Sequence, residues 1–435
     1  MPADMHAAYL DLLHRTEWLA PAALAEWQRP QIERMVRHAA ATVPLQDERL
    51  APLLAGDRFA PEAWEDVAPM TRADAQAAGD ALLAASVPQQ AGATHRIQTS
   101  GSIGTPLRFA TSDLALTATR LQLERFWDWH GIDTGGRFAN VHAYAEPPPT
   151  SEPTPPRPWS FRGPAGQAST IDATLPAAAI VDWLATWRPD YLLCYPTLAA
   201  EIADAARAAG RAVPLGAVVT GGEVLRGDAR DAIAAGFAGR DGPARVLDTY
   251  GCEEMGRLAL VCPEGRYHVC AESVLLEIVD DAGRPVGPGG EGWVVLTSLH
   301  NFATPFVRYR IGDRAVAGSA PCPCGRALPV LDAVLGRTRN MLVLPDGRRL
   351  WPTGDMAMDW RAFVPFRQFR VIQHAPDRLE LRYVPDPGAP PPDPAGLAAH
   401  VRRTLHPAVT VALVPVAAIP RGPGGKFEDY VSLVA

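Results

Sequence analysis

Between residues 176 and 250 the chain alternates helix-like and strand-like segments, and this alternation constrains its fold more than any other feature. Helical patterns at 176–187, 196–210 and 227–238 are separated by short apolar runs at 191–194, 215–220 and 244–249. Strands linked through helices run parallel, because the chain must cross over before it can re-enter the sheet in the same direction. The stretch therefore predicts an α/β fold with a largely parallel sheet. After residue 256 the character turns β-rich, with runs at 273–279 and 293–297 around the turn Asp280 to Gly292, which predicts an antiparallel subdomain. From Met341 onward, strands at 341–344, 367–373, 378–384 and 409–416 and a helix at 394–405 predict a small α+β domain. The expected division is a large body over 1–338 and a small mobile domain over 339–435, with no internal repeat.

Three further segments have local readings. Residues 20–43 carry apolar residues at helical spacing interrupted by Pro30, which predicts a broken helix. Residues 111–129 read as an amphipathic helix following the strand-like Leu107, Arg108 and Phe109. The proline-rich stretch 145–165 reads as a surface loop or lid edge, because proline supplies no backbone donor.

Composition narrows the function. The net charge is −7 and no long basic run occurs, so the electrostatic footprint for nucleic acid is missing. No apolar stretch reaches the roughly 18–20 residues of a membrane span, and the first eighteen residues lack the layout of a signal peptide, which predicts a cytoplasmic protein. Six cysteines in 435 residues do not form a disulfide framework and leave thiols for metal binding or packing.

Four short segments carry the chemistry, with a further one at Gly221 to Glu223. In Thr99 to Pro106, the small residues Ser100, Gly101, Ser102 and Gly104 let backbone N–H groups approach a polyphosphate, with hydroxyls as extra donors. No Gly-Lys-Ser/Thr follows, so this is not a P-loop. Tyr250 to Glu254 and the segment Gly221, Gly222 and Glu223 each follow a strand of the parallel region, at the end where open α/β sheets bind ligands. Asn301 to Asp313 ends in an aspartate placed to accept from two hydroxyls. Lys426 follows the flexible run Arg421 to Gly425 and can bring one ammonium to two anions. Each segment alone has an ordinary explanation as a turn or a solvated tail. A separate constellation, Cys262, His268, Cys322 and Cys324, offers three thiolates and an imidazole, a set suited to a closed tetrahedral zinc site, with plain packing as the alternative and Cys252 and Cys270 as competing ligands.

In this order and at these separations the four segments resemble the adenylate-forming enzymes, most closely the phenylacetate-CoA ligase-like branch, over roughly residues 20 to 430. The resemblance implies a large adenylate-forming domain followed by a small mobile one. It implies ATP as co-substrate, with adenine beside 218–223, Tyr250 stacked on the base, Gly251 and Glu253 close by, Glu254 holding Mg²⁺, and Asp313 and Arg337 on the ribose and phosphates. Lys426 would serve both the substrate carboxylate and the α-phosphate. Three positions depart from the family pattern: Ile103 and Glu253 stand where hydroxyl residues are usual, and Arg339 where the hinge residue is usually acidic. Several relatives look similar at the Cys/His positions.

The expected activity is ATP-dependent conversion of a small, aromatic carboxylic acid to acyl-AMP, followed by transfer to coenzyme A. The alternatives are transfer to an amine, a carrier protein or another nucleophile, and a nucleotide-binding homologue without turnover. Tyr144, Trp159, Tyr195 and Met255 are candidate walls for the acid. The resemblance allows a homodimer.

Overall fold

The alternating segments fold into the parallel half of one large sheet. A computed structural model describes the chain except for residues 1–2, 57, 100–105, 144–151, 240–241, 338–339, 353–359, 387, 423 and 435. Twelve strands of the sheet are, in chain order, β1 (Phe138–His142), β2 (Arg157–Ser160), β3 (Gly163–Asp172), β4 (Tyr191–Cys194), β5 (Ala217–Gly221), β6 (Arg245–Cys252), β7 (Gly256–Val261), β8 (Tyr267–Val269), β9 (Val274–Val279), β10 (Glu291–Ser298), β11 (Tyr309–Ala317) and β12 (Val330–Arg337). Their spatial order is β9-β10-β11-β12-β8-β7-β6-β5-β4-β1-β3-β2, and Met70–Thr71 joins beside β11 as the thirteenth strand.

Strands β6, β5, β4, β1 and β3 are mutually parallel, as the helical crossovers require. The β-rich segment is antiparallel, as expected. It continues the same sheet, because β7 turns back on β6 as an antiparallel neighbour and carries the hydrogen-bond ladder across to β8, β12, β11, β10 and β9. The sheet is thus mixed, with a contiguous parallel block of five strands and a further parallel pairing between Met70–Thr71 and β11.

Two local expectations are corrected. The helix Pro21–Thr42 runs unbroken through Pro30. An interior proline loses one backbone hydrogen bond at a cost of roughly 3 kcal/mol, and a long buried face with Leu24, Met35, Val36 and Ala39 offsets it. Of the proline-rich stretch, 144–151 lie outside the described residues, but Arg157–Ser160 is a strand that hairpins onto β3. It sits at the sheet edge, where Pro158 removes a donor only from the unpaired side.

The helices Ala177–Trp187, Pro196–Ala208 and Gly227–Gly236 bury Ile180, Leu184, Leu198, Ile202 and Ile233 in one core with Leu192 and Val218 of the parallel strands. The helix Asp113–Trp129 is capped by Ser112, whose hydroxyl accepts from the Ala115 N–H. It carries the fully buried Arg125, whose guanidinium pairs with Glu272 at 2.7 Å and takes Leu13 O at 3.0 Å, tying the N-terminal helix to the sheet.

The small C-terminal domain is built on a separate four-stranded sheet, β13 (Phe366–Ala375), β14 (Arg378–Pro385), β15 (Thr410–Pro415) and β16 (Tyr430–Ser432), ordered β15-β14-β13-β16. The helix Pro394–Thr404 packs Leu397 and Val401 into its own apolar core. Among the described residues no helix is long and apolar enough to cross a membrane.

Candidate active site

Two parallel strands end side by side, and the turns that leave them form the floor of the site. β5 ends in Gly221, followed by Gly222 and Glu223, and β6 ends in Tyr250, Gly251 and Cys252, followed by Glu253 and Glu254. Gly222 adopts φ +82°, and a Cβ there would lie 3.1 Å from the Tyr195 ring and 3.3 Å from Cε of Lys426. The positive φ favours glycine here, and a side chain would also crowd Tyr195 and Lys426. The ladder between β6 and β7 shifts register at Tyr250 and Gly251, a bulge that turns the Glu253–Glu254 pair out over the strand ends.

Two cavities meet at this floor and share Gly222, Gly251, Cys252, Glu253, Glu254 and Lys426. The larger, about 450 Å³, also takes in Thr99, Glu223, Tyr250, Asp313 and Arg337. All the described candidate nucleotide residues therefore line one cleft. Ser100, Gly101, Ser102, Ile103 and Gly104 lie outside the described residues, as does Arg339. The smaller cavity, about 370 Å³, lies on the other side of the floor against the helix Asp113–Trp129 and includes Tyr195 and Met255.

Within the larger cleft, strand register sets Asp313 of β11 opposite Arg337 of β12. The Tyr250 hydroxyl donates to Asp313 Oδ2 at 2.8 Å, and Nε of Arg337 lies 3.5 Å from Oδ1. Burial, then the Asp313 carboxylate, push the Tyr250 phenol well above its ordinary value. Tyr250 remains a donor and fixes Asp313 by its hydroxyl, and the residue also lines the larger cleft.

Glu254 is almost fully buried, and its Oε1 accepts from Arg72 at 2.7 Å and from the Tyr309 hydroxyl at 3.3 Å. Its Oε2 has no hydrogen bond among the described residues, which leaves one oxygen for a cation. Arg72 extends the network by donating to Thr99 Oγ1 at 2.8 Å, and that hydroxyl in turn accepts from the Leu107 N–H. Thr99, at the mouth of the small-residue segment, is thereby linked to the acidic turn.

Glu223 lines the cleft, but its carboxylate is spent elsewhere. Oε2 accepts from the Thr197 N–H at 3.1 Å and hydroxyl at 2.7 Å, and Oε1 accepts from the Phe427 N–H at 2.6 Å. Arg421 approaches Oε1 at 3.6 Å, pairs with Glu201 at 2.9 Å and donates to Thr197 Oγ1 at 2.9 Å. Glu223 thus lines the larger cleft with the other candidates and in this pose also holds the C-terminal loop. Tyr195 adds a hydrogen bond to Gly424 O at 3.0 Å, and Arg226 pairs with Asp429.

Cys262, His268, Cys322 and Cys324 converge, with one ligand atom from each lying within 4.8 Å of the others. Sγ of Cys262 and Cys322 are 3.6 Å apart, and Sγ of Cys324 is 3.3 Å from Nε2 of His268. A tetrahedron with Zn–S bonds of about 2.3 Å has S···S edges near 3.8 Å, whereas a disulfide requires about 2.05 Å. His268 Nδ1 lies 3.3 Å from Leu328 O, a hydrogen bond that would leave Nε2 directed at the thiols. Cys252 lines the two cavities and Cys270 is buried in the core, both apart from this cluster.

Sequence reasoning missed Arg72, Arg257 and the anchoring role of Arg421. Arg72 opens a short helix with the Thr71–Asp74 capping box, a local signal that marks the helix and not its long-range partner. Trp159 proves to be core, packed on Trp127, Phe138 and Tyr191, and Tyr144 lies outside the described residues.

No family model matches the chain. Among solved structures, a 2-hydroxyisobutyryl-CoA ligase in the postadenylation state in complex with R3-HIB-AMP superposes with a TM-score of 0.73 at 20% identity, covering 96% of this chain and 91% of that one. The fold is that of the adenylate-forming enzymes. The same ligase in the thioesterification state, with 2-HIB-AMP and CoA, gives 0.61 over 96% and 91% of the two chains, at 20% identity. A phenylacetate-coenzyme A ligase of Thermus thermophilus is 30% identical over 175 residues, a match that spans 38% of this chain and 38% of that relative. The sequence likeness thus lies in the phenylacetate-CoA ligase-like branch of the adenylate-forming superfamily.

Proposed function

We propose that the protein activates a small, aromatic carboxylic acid with ATP as acyl-AMP and passes the acyl group to coenzyme A. The observation that carries this reading is the position of Lys426, whose side chain lines both cavities at the one floor where they join. An acid in the smaller cavity and a nucleotide in the larger would both reach its ammonium.

In the first step a carboxylate oxygen attacks the α-phosphorus and the bond to pyrophosphate breaks. Lys426 offsets the repulsion between the two anions and the charge that builds on the phosphoryl oxygens. Asp313 offers acceptors to the ribose diol, steadied by Tyr250 and Arg337. Glu254, with Oε2 available, would hold Mg²⁺, which supplies charge neutralisation at the phosphates. Arg72, already against Thr99, is placed to follow a polyphosphate into the 99–106 segment. In the second step the thiolate of coenzyme A attacks the acyl carbonyl and the C–O bond to AMP breaks, the thiol proton passing to solvent.

Between the steps the small domain would rotate about residues 338–339 and withdraw the Lys426 loop. The better superposition on the postadenylation state than on the thioesterification state supports reading the present pose as the one that serves the adenylate. For the Cys/His cluster we assign one structural Zn²⁺, which would staple the β7–β8 hairpin to the loop before β12.

Pyrophosphate release with a panel of acids tests the first step, and coenzyme A-dependent AMP release tests the second. No pyrophosphate with any acid would favour a nucleotide-binding protein without turnover, and AMP release only with amines or carrier proteins would replace coenzyme A as acceptor.

A further inference from the structure

The smaller cavity contains a cation that the two-step chemistry does not use. Arg257 stands second in β7, paired in register with Gly251 of β6. It reaches over the strand ends, where Nη1 lies 3.3 Å from Thr249 Oγ1 and 3.8 Å from where a Cβ on Gly221 would be. Among the described residues that hydroxyl is its one hydrogen-bond partner, and no carboxylate lies within ion-pair distance. Burial lowers the guanidinium's affinity for its proton, although it stays charged at any working pH.

Arg257 is half-buried, and a guanidinium with one hydroxyl partner keeps donors available for an anion that enters the cavity. The carboxylates that act on it are Glu253, exposed at the junction of the cavities, and Asp248, which already accepts from the Thr220 and Tyr267 hydroxyls, and among the described residues neither forms an ion pair with it. Arg120, on the adjacent helix face, adds a second positive charge to the wall. The cavity therefore carries three cations, Lys426 beside Gly222 at the floor and Arg257 and Arg120 in the wall, against the carboxylates of Glu253 and Glu254 at its junction with the larger cleft.

We infer that the acid taken by this cavity is a dicarboxylic acid, one carboxylate meeting Lys426 for activation and the second docking on Arg257. A planar guanidinium and a carboxylate match in a two-bond fork, which makes a second carboxylate the group this wall recognises best. The inference rests on the proposed adenylation and names the substrate of that same site.

The test pairs acids of matched shape: benzoate with isophthalate and terephthalate, phenylacetate with 4-carboxyphenylacetate, and pentanoate with glutarate and adipate. Two readouts are taken, pyrophosphate release as kcat/KM and direct binding by calorimetry. Expected is a preference of at least about tenfold for a diacid over its monoacid partner, lost or reversed in Arg257→Met and partly kept in Arg257→Lys, with nucleotide affinity of both variants showing that they are folded. Monoacids used as well as diacids, or a diacid preference that survives Arg257→Met, overturns the inference. Diacid binding that requires Arg257, without pyrophosphate from any acid, supports the site and overturns adenylation instead. Absence of both binding and turnover with every diacid overturns the inference.

Discussion

Glu223 accepts a 2.6 Å hydrogen bond from the backbone N–H of Phe427, the residue that follows Lys426. A side chain at the end of β5 thus sets the position of a lysine on a different domain. Burial raises the affinity of Glu223 for a proton, while Arg421, Phe427 and Thr197 favour its charged form. The lysine is held through the backbone around it, and its ammonium has no hydrogen-bond partner among the described residues. A group meant to follow charge through a reaction needs that division.

Lys426→Ala should reduce acyl-AMP formation by roughly 10²–10³, the typical loss when one charge contact to a transition state is removed. Because the side chain is half-buried at a cavity junction and forms no ion pair among the described residues, thermal stability should stay within about 0.5 kcal/mol of wild type. The check is single-turnover pyrophosphate release beside a melting curve. Unchanged release would remove Lys426 from the chemistry.

Asp313→Ala should weaken ATP binding more than 2′-deoxy-ATP binding, since the deoxy nucleotide has already lost one hydroxyl. The difference should approach the roughly 1.5–3 kcal/mol of a hydrogen bond to a charged group. A second consequence comes from Tyr250, whose buried hydroxyl would lose its acceptor, so the variant should also be less stable by about 1–3 kcal/mol. Titration calorimetry with the two nucleotides separates these effects. Equal losses would make Asp313 a support for Tyr250 alone.

What could be read in advance follows from how local each signal is. Asp313 and Arg337 belong to short motifs on neighbouring strands, and the register that joins them is a property of the sheet. The Cys/His set was legible by residue type, and folding added its convergence. Arg72 was not legible: its partner Glu254 lies 182 residues away, and an arginine after a capping threonine reads as an ordinary helix start. Arg257 was hidden for a similar reason, since a charged residue at the start of a strand reads as solvent-facing until the fold sets it in the lining of the smaller cavity. Pro30 misled because propensity describes a lone helix, and tertiary burial decided the matter.

Elemental analysis should find about one zinc per chain, lost on replacing Cys322 or Cys324 by serine. A site with four protein ligands is closed, so removing the ion should lower the melting temperature before it touches pyrophosphate release. Calorimetric melting with and without a chelator measures this. Metal-free protein with unaltered melting would assign the cluster to packing.

Arg421→Met tests whether the anchored loop serves one half-reaction or both. Arg421 touches Glu201, Thr197 and Glu223, and all three contacts join the C-terminal loop to the large body. Methionine keeps the length of the stem over Phe427 and removes the charge, so Glu223 is left with neutral donors only. The loop should spend less time in the present pose, and acyl-AMP formation should fall by about 10–100-fold, the size of one to two charged contacts. Thiol transfer from supplied acyl-AMP should change by no more than about threefold, because a rotated domain no longer makes these contacts. Rapid-quench assays of the two half-reactions give the answer directly. A parallel fall in both would mean that the contacts stabilise the domain itself, and the rotation would lose its support.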